Sequence, residues 1–240
     1  MIDIHTPQHA PMTRREFFTH LGIVILGILI AIGLEQAVEA LHHRHERQAL
    51  IEDFHRECSD NLNVFDTDLD RVRELIAWDR ASLAVLRNAQ PQGGYITITM
   101  PPLPDGRALQ APSRSVWSVA KASGKIELLP ENLAEVFDRV DTEGGHWSDV
   151  VQPATDALQR MKNFADRTGT PLNTGATIHL TVAQRDAAAG LLDDLLAQYE
   201  QEREWIAWWQ GASISVLRGV QSRADMADDI RRANQRSRPQ

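Results

Sequence analysis

The first hydrophobic pattern in the chain carries no charge. From Phe17 to Leu34 the sequence reads FFTHLGIVILGILIAIGL, in which twelve of eighteen positions are Leu, Ile, Val or Phe and none is formally charged. Eighteen helical residues reach about 27 Å, close to the roughly 30 Å hydrocarbon core of a bilayer. At about −0.3 to −0.6 kcal/mol for each central apolar residue, the twelve favour insertion by roughly 5 kcal/mol, less what Thr19, His20 and the glycines subtract. A helix lying on a soluble domain would need a polar stripe, and Gly22 to Leu34 has none. The run predicts an uncleaved single-pass anchor over residues 12–41.

A cleaved signal peptide is the alternative. Thr13-Arg14-Arg15-Glu16-Phe17-Phe18 resembles the twin-arginine export motif, and Ala31-Ile32-Gly33 is a small-x-small site. Helical patterning that continues past Leu34 without a break favours the anchor. Arg14 and Arg15 flank the run closely, whereas Arg44 and Arg47 lie further beyond its other end. That proximity predicts a cytoplasmic N-terminus, with the C-terminal part outside the cytoplasm.

After the anchor the period changes. No Pro or Gly occurs between Leu34 and Pro91, and Ile51, Phe54, Cys58, Leu62, Phe65, Leu69, Val72, Ile76, Leu83 and Leu86 recur at mostly three- and four-residue steps. This is a coiled-coil-like 3.5-residue repeat with a small stutter between Cys58 and Leu62, and Asp79 interrupts the stripe. One helix from Met12 to Ala89 is expected, with its first third in lipid and an amphipathic stalk over 42–90. Pro91, Pro101, Pro102, Pro104 and Pro112, with Gly93, Gly94 and Gly106, mark a linker over 91–112. Within it, Tyr95 to Met100 alternates with period two, as Ala176 to Leu180 does later, so the two predict a small two-stranded ribbon.

Beyond the linker, Ser113 to Ser123 reads as a short helix stopped by Gly124. Pro130 and Glu131 open a helix toward Thr168 that Gly144-Gly145 and Pro153 should disturb. Thr181-Val182-Ala183-Gln184 is a capping box. In the long helix it opens, Leu192, Leu195, Tyr199, Ile206, Trp209, Ser213, Val216 and Val220 share one stripe. Arg231 to Gln240 is polar and expected to fray. The fold class is therefore all-α: a transmembrane helix continuing into a long amphipathic helix, packed with two further long helices and one short one. The organisation is a flexible segment 1–11, the anchor, the stalk, the linker, a bundle 113–222 formed with 42–90, and a polar tail 223–240.

Composition narrows the function. The charge of −8, from 25 basic and 33 acidic residues, disfavours nucleic acid as a partner. One cysteine, Cys58, excludes an intrachain disulfide framework and a multi-thiolate metal site; its place on the apolar stripe predicts a small buried hydrophobe. No catalytic motif and no cofactor signature is present.

Two stretches carry a family resemblance. Gly27-Ile28-Leu29-Ile30-Ala31, continuing to Leu34-Glu35, resembles the anchor of a group of uncharacterised bacterial single-pass membrane proteins. Trp117-Ser118-Val119-Ala120-Lys121-Ala122-Ser123-Gly124 is similar to the W-x-x-A-x-x-[ST]-G element found after that anchor. The resemblance implies a bacterial envelope protein with an N-terminal anchor and a helical domain, and so, with the orientation above, a single-pass protein of the bacterial inner membrane whose C-terminal domain is periplasmic or extracellular; it implies no activity. Trp117, Ala120 and Gly124 would share one helical face and admit a close neighbour.

Several residues invite chemistry. His42 and His45 share a face just past the anchor, next to His43, with Glu39 and Glu46 nearby; they are the candidate metal ligands or a pH-sensitive collar, against a plain headgroup-facing surface. His20, a turn inside the apolar run, is expected to reach the interface. Gly22, Gly27 and Ala31 give the anchor a small-residue face suited to helix packing and a homo-oligomer through anchor and stalk. Trp205, Trp208 and Trp209 could line a pocket, although their spacing better suits core packing. The carboxylates Asp66, Asp68, Asp70, Asp138, Asp141, Asp193 and Asp194 read as a solvated face. The expectation is a non-enzymatic, membrane-anchored interaction or sensory protein whose partners are the bilayer and an unidentified envelope protein. A membrane-anchored metal protein or enzyme using the His cluster, and a receptor domain with a Trp-lined pocket, are the alternatives.

Overall fold

A computed structural model describes residues 13–104, 108–220 and 222–238. The expected flexible segment 1–11, and Gly106 of the linker, lie outside the described residues. Helix α1 spans Arg14–Asn88, close to the span that the missing Pro and Gly predict. The chain divides into two compact units, Met1–Ala49 and Leu50–Gln240, and α1 contributes to both.

In the first unit α1 is the described element, and its side chains from Phe17 to Leu41 are exposed, including Ile23, Leu26, Leu29 and Leu34. Among the described residues this is the one helix long and apolar enough to cross a membrane, and the apolar stretch is entirely unburied. Its N-terminus carries a reciprocal cap: the Thr13 amide donates to Glu16 at 2.8 Å, and the Glu16 amide to Thr13 Oγ1 at 3.3 Å.

The second unit is all-α with one ribbon. Strand β1 (Tyr95–Thr99) pairs antiparallel with β2 (Thr177–Thr181), and both bury alternate residues as period two requires. Between them come α2 (Ser115–Ala122), a 3₁₀ turn at Lys125–Leu128, α3 (Glu131–Gly145) and α4 (Trp147–Thr168). Helix α5 (Val182–Leu217) follows β2 directly and opens on the expected capping box, with Gln184 N donating to Thr181 Oγ1 at 3.2 Å and Thr181 N to Gln184 Oε1 at 2.9 Å. From Leu50 onward α1 lies antiparallel to α5, as three polar pairs record: Asp66–Gln210 at 2.6 Å, Arg80–Glu200 at 2.5 Å and Arg87–Asp193 at 2.7 Å.

Two apolar clusters form the core. One gathers Phe65, Val72 and Leu86 of α1, the inward faces of both strands, and Leu192, Leu195 and Ile206 of α5. The other joins Phe54, Trp117 and Phe137, with Phe54 and Phe137 ring centroids 4.1 Å apart. Each fully buried side chain of this size contributes roughly 1.5–3 kcal/mol.

Four expectations need correction. The helix expected from Pro130 to Thr168 is two helices, broken at His146. Gly144 and Gly145 end α3 where the Arg114 side chain crosses it: a Cβ on Gly145 would stand 3.0 Å from Arg114 Nη1. Pro153 lies inside α4 without ending it. The tail expected to fray forms α6 (Arg223–Ser237), N-capped by Ser222 and burying Met226, Asp229 and Ala233; Arg218 and Arg232 neutralise Asp229, each at 2.5 Å. Gly124 does stop α2, at φ 74°, but no neighbour approaches it, so only Trp117 and Ala120 supply the packing face. Asp68 and Asp141 are buried rather than solvated; Asp66, Asp70, Asp193 and Asp194 do face solvent.

Candidate functional site

The linker is fastened along one face of α1. Asp68 Oδ2 accepts from Gln110 N at 2.9 Å, Arg71 Nη2 donates to the Pro104 carbonyl at 2.9 Å, and Trp78 Nε1 donates to the Pro101 carbonyl at 3.1 Å. Spacings of three and seven put these side chains on one stripe. A Pro-rich segment has few amides of its own to bond, so side chains of α1 satisfy its carbonyls.

Held there, the linker roofs a pocket of about 270 Å³ between α1, α4 and α5. This is near the lower end of small-molecule sites, roughly 300–1,000 Å³. Leu75 of α1, Ala154 and Leu158 of α4, and Leu103 and Leu109 of the linker make its wall apolar. Four polar side chains line it: Arg71, Thr155, Tyr199 and Glu202. Arg71 is partly engaged, since Nη1 also reaches Glu74 at 3.4 Å. Glu202 differs: it is 2% exposed and its Oε2 has no hydrogen-bond partner. Burial, and then the negative charge of Asp68, push the Glu202 carboxyl up to about 8, so it is largely protonated at neutral pH. Burial also raises the Tyr199 phenol, with Glu202 and Asp79 adding to the effect and Arg71 opposing it.

Asp79 is a second unpaired acid. It is fully buried, neither oxygen has a partner, and the nearby Ser82 hydroxyl has none either. Burial, with the Asp193 charge second, moves its carboxyl up to about 7. A buried ionised carboxylate without a partner is costly, so the proton is retained instead.

The residues singled out in the sequence do not gather into this site. His42 is exposed and lies 3.7 Å from Glu46; His45 is exposed as well, and among the described residues no group of three or more His, Cys, Asp or Glu is arranged to hold a metal. Gly22, Gly27 and Ala31 sit on the exposed helix of the first unit, and a Cβ on either glycine would meet nothing within 4 Å. Trp209 is buried against Trp147, Trp205 and Phe65, at centroid distances of 5.1, 6.0 and 6.2 Å. Trp208 lies under the Arg139 guanidinium at 5.5 Å. The cavity beside Trp209 and Cys58 is about 20 Å³, too small for an organic ligand. The tryptophans are packing, and the pocket lies further along α5.

Glu202 was missed although the sequence carried a signal. It falls three residues after Tyr199 and four before Ile206, on the apolar stripe itself. Asp79 carried the same signal on α1, where it is an interruption of the stripe. Comparison with family models, curated proteins and solved structures gives no match.

Proposed function

We propose that this chain is a non-enzymatic, membrane-anchored sensory protein of the bacterial envelope. Phe17 to Leu34 spans the inner membrane, with the N-terminus cytoplasmic, and the unit from Leu50 onward receives a small molecule in the pocket roofed by the linker. The observation that carries the pocket reading is Glu202: a buried acid that lines an apolar pocket and has one oxygen without a partner. Evolutionarily neutral packing would place a leucine there more cheaply. The anchor reading rests on the exposed apolar run and on Arg14 and Arg15 beside it. The open small face of Gly22, Gly27 and Ala31 suits self-association of the span, and an envelope protein contacting the exposed surface would carry the signal onward.

Carbonate extraction combined with protease digestion of intact spheroplasts tests the placement. Retention in the pellet, with the Leu50–Gln240 unit cut only from outside, is expected. Release into the soluble fraction, or protection of that unit from external protease, would overturn it. The pocket is tested by titration calorimetry of the full chain in detergent with benzyl alcohol as probe: Leu158→Trp, which fills the pocket, should abolish binding, and no binding to the wild type, or binding unchanged in the variant, would overturn the pocket reading.

A further inference from the structure

The histidines past the apolar run have a definite place relative to a bilayer. A hydrocarbon core of about 30 Å takes up roughly twenty helical residues, so a span that enters at Phe17 leaves it near Ala37. The headgroup layer adds about 5–8 Å on that side, or roughly four to five residues more. His42 and His43 therefore lie at its outer edge, with Arg44, His45 and Arg47 within the next turn and a half. His42, His43, Arg44 and His45 are all exposed, and they belong to the Met1–Ala49 unit. At about 100° per residue, four consecutive side chains point to four sides of the helix. A docked protein covers one side of a helix, whereas a bilayer surrounds it, and a ring suits the second.

The charge of this ring changes sign with pH. From Glu35 to Arg47 the chain holds three glutamates, two arginines and three histidines. With the histidines neutral the net charge is −1, and with all three protonated it is +2. An imidazole in water changes charge between about pH 5 and pH 8. The charged neighbours of the three rings are those of α1 itself: Glu39, Arg44, Glu46 and Arg47, with His42 Nε2 3.7 Å from Glu46. At the other end of the run Arg14 and Arg15 keep their charge throughout.

We propose that His42, His43 and His45 make the ring a proton-gated binding site for anionic lipid headgroups, which gather around the C-terminal end of the span as pH falls. This rests on the span reading proposed above. A lipid phosphodiester stays ionised over the whole range, so only the protein changes sign. Imidazolium and guanidinium groups both donate charge-assisted hydrogen bonds to phosphate oxygens.

The test uses the full chain reconstituted in phosphatidylcholine vesicles with trace spin-labelled phosphatidylglycerol or spin-labelled phosphatidylcholine. Electron paramagnetic resonance separates lipid slowed by the protein from bulk lipid, and the two probes together give the preference for the anionic headgroup. A basic group close to an anionic surface is worth about fivefold, diluted here because half of the lipids bordering the span lie at its other end. The preference for phosphatidylglycerol should rise at least roughly threefold between about pH 7.5 and about pH 5.5. The rise should vanish in the triple variant His42→Gln, His43→Gln, His45→Gln, which keeps His5 and His9 ahead of the span; circular dichroism verifies its helix. An unchanged preference, or a rise that survives in the triple variant, would overturn the inference and leave the span. A fall in slowed lipid of both kinds at low pH would mean that a second copy covers the ring, and would overturn it as well. A chain that fails to float with the vesicles after a carbonate wash would remove the span reading and this inference with it.

Discussion

Gly211 of α5 and Ile230 of α6 touch backbone to backbone: a Cβ built on Gly211 would stand 2.5 Å from Ile230 Cα and 3.0 Å from the Asp229 carbonyl oxygen. No flexible side-chain end can yield there, so the two helices must part. Gly211→Ala should lower stability by about 1–3 kcal/mol, the usual cost of overpacking. Gly190, also in α5, has nothing within 4 Å of its would-be Cβ, and Gly190→Ala should raise stability by roughly 0.5–1 kcal/mol through helix propensity. Urea titration of both variants checks the opposite signs.

Asp79 and Glu202 give stability a definite pH dependence. Both have folded values, about 7 and about 8, above their unfolded ones. Between an unfolded value near 4 and those folded values, the unfolded chain has released a proton that the folded chain keeps. Their contribution to stability is therefore full at the acid end of that window, falls as pH rises through it, and levels off above about 8. Asp79→Asn and Glu202→Gln should each flatten the decline, and each should stabilise the protein at pH 8 by about 1–3 kcal/mol. Thermal unfolding at about pH 5 and pH 8 reads the difference; an unchanged slope in the double variant would contradict the assignment.

Glu57 caps a helix to which it does not belong. Its Oε1 accepts from Ser113 Oγ at 2.7 Å, Ser115 Oγ at 2.9 Å and Val116 N at 3.2 Å, at the start of α2. Asn61, one turn on, exchanges two bonds with the Ser113 backbone, at 2.8 and 2.9 Å. Glu57→Ala strands those donors and should cost about 2–3 kcal/mol. Hydrogen exchange should speed up in α2 before the rest of the unit.

How much of this was legible follows from what each pattern measures. Helix α1 and the start of α5 were readable because period, capping chemistry and the placing of Pro and Gly are local. Tyr95 to Thr99 and Thr177 to Thr181 were readable as strands, and as partners only because two lone strands need each other. The break at His146 was half visible in Gly144-Gly145, but the side chain that crosses there, Arg114, comes from the residue just before α2. Helix α6 was misread because Arg231, Arg232 and Arg236 outweigh Met226 and Ala233 in composition, while Asp229 is neutralised across the turn by Arg218. The pocket was not legible at all. It exists because Asp68, Arg71 and Trp78 fasten the linker, and nothing in a Pro-rich sequence says which helix it will lie along.

Cys58 should behave as an inert thiol. It is 1% exposed, and burial, with the neighbouring Glu57 charge second, pushes it up to about 12, against a smaller opposing hydrogen bond from Ser213. The folded protein should resist alkylation by iodoacetamide at about pH 8, and label fully once urea unfolds it. Rapid labelling of the native protein would mean the α1–α3 cluster opens far more often than its packing implies.

The apolar run can be disabled by two changes. Each Arg at the centre of a span opposes insertion by about 2.5–3.5 kcal/mol. Leu26→Arg with Leu29→Arg should thus outweigh the favourable sum of the whole run, and the variant should move from the carbonate-resistant pellet to the soluble fraction. Continued retention would mean that something other than the run holds the protein in place.

The antiparallel pairing of α1 with α5 has a consequence for biogenesis. Leu69, Val72 and Ile76 leave the ribosome long before Leu192, Leu195 and Ile206, which must cover them. At roughly 5–20 residues per second, that interval lasts about 6 to 25 seconds. Throughout it the nascent stalk displays a bare oily seam, so a holding chaperone that recognises such seams should crosslink to arrested chains ending before α5 and lose its grip on chains ending after it.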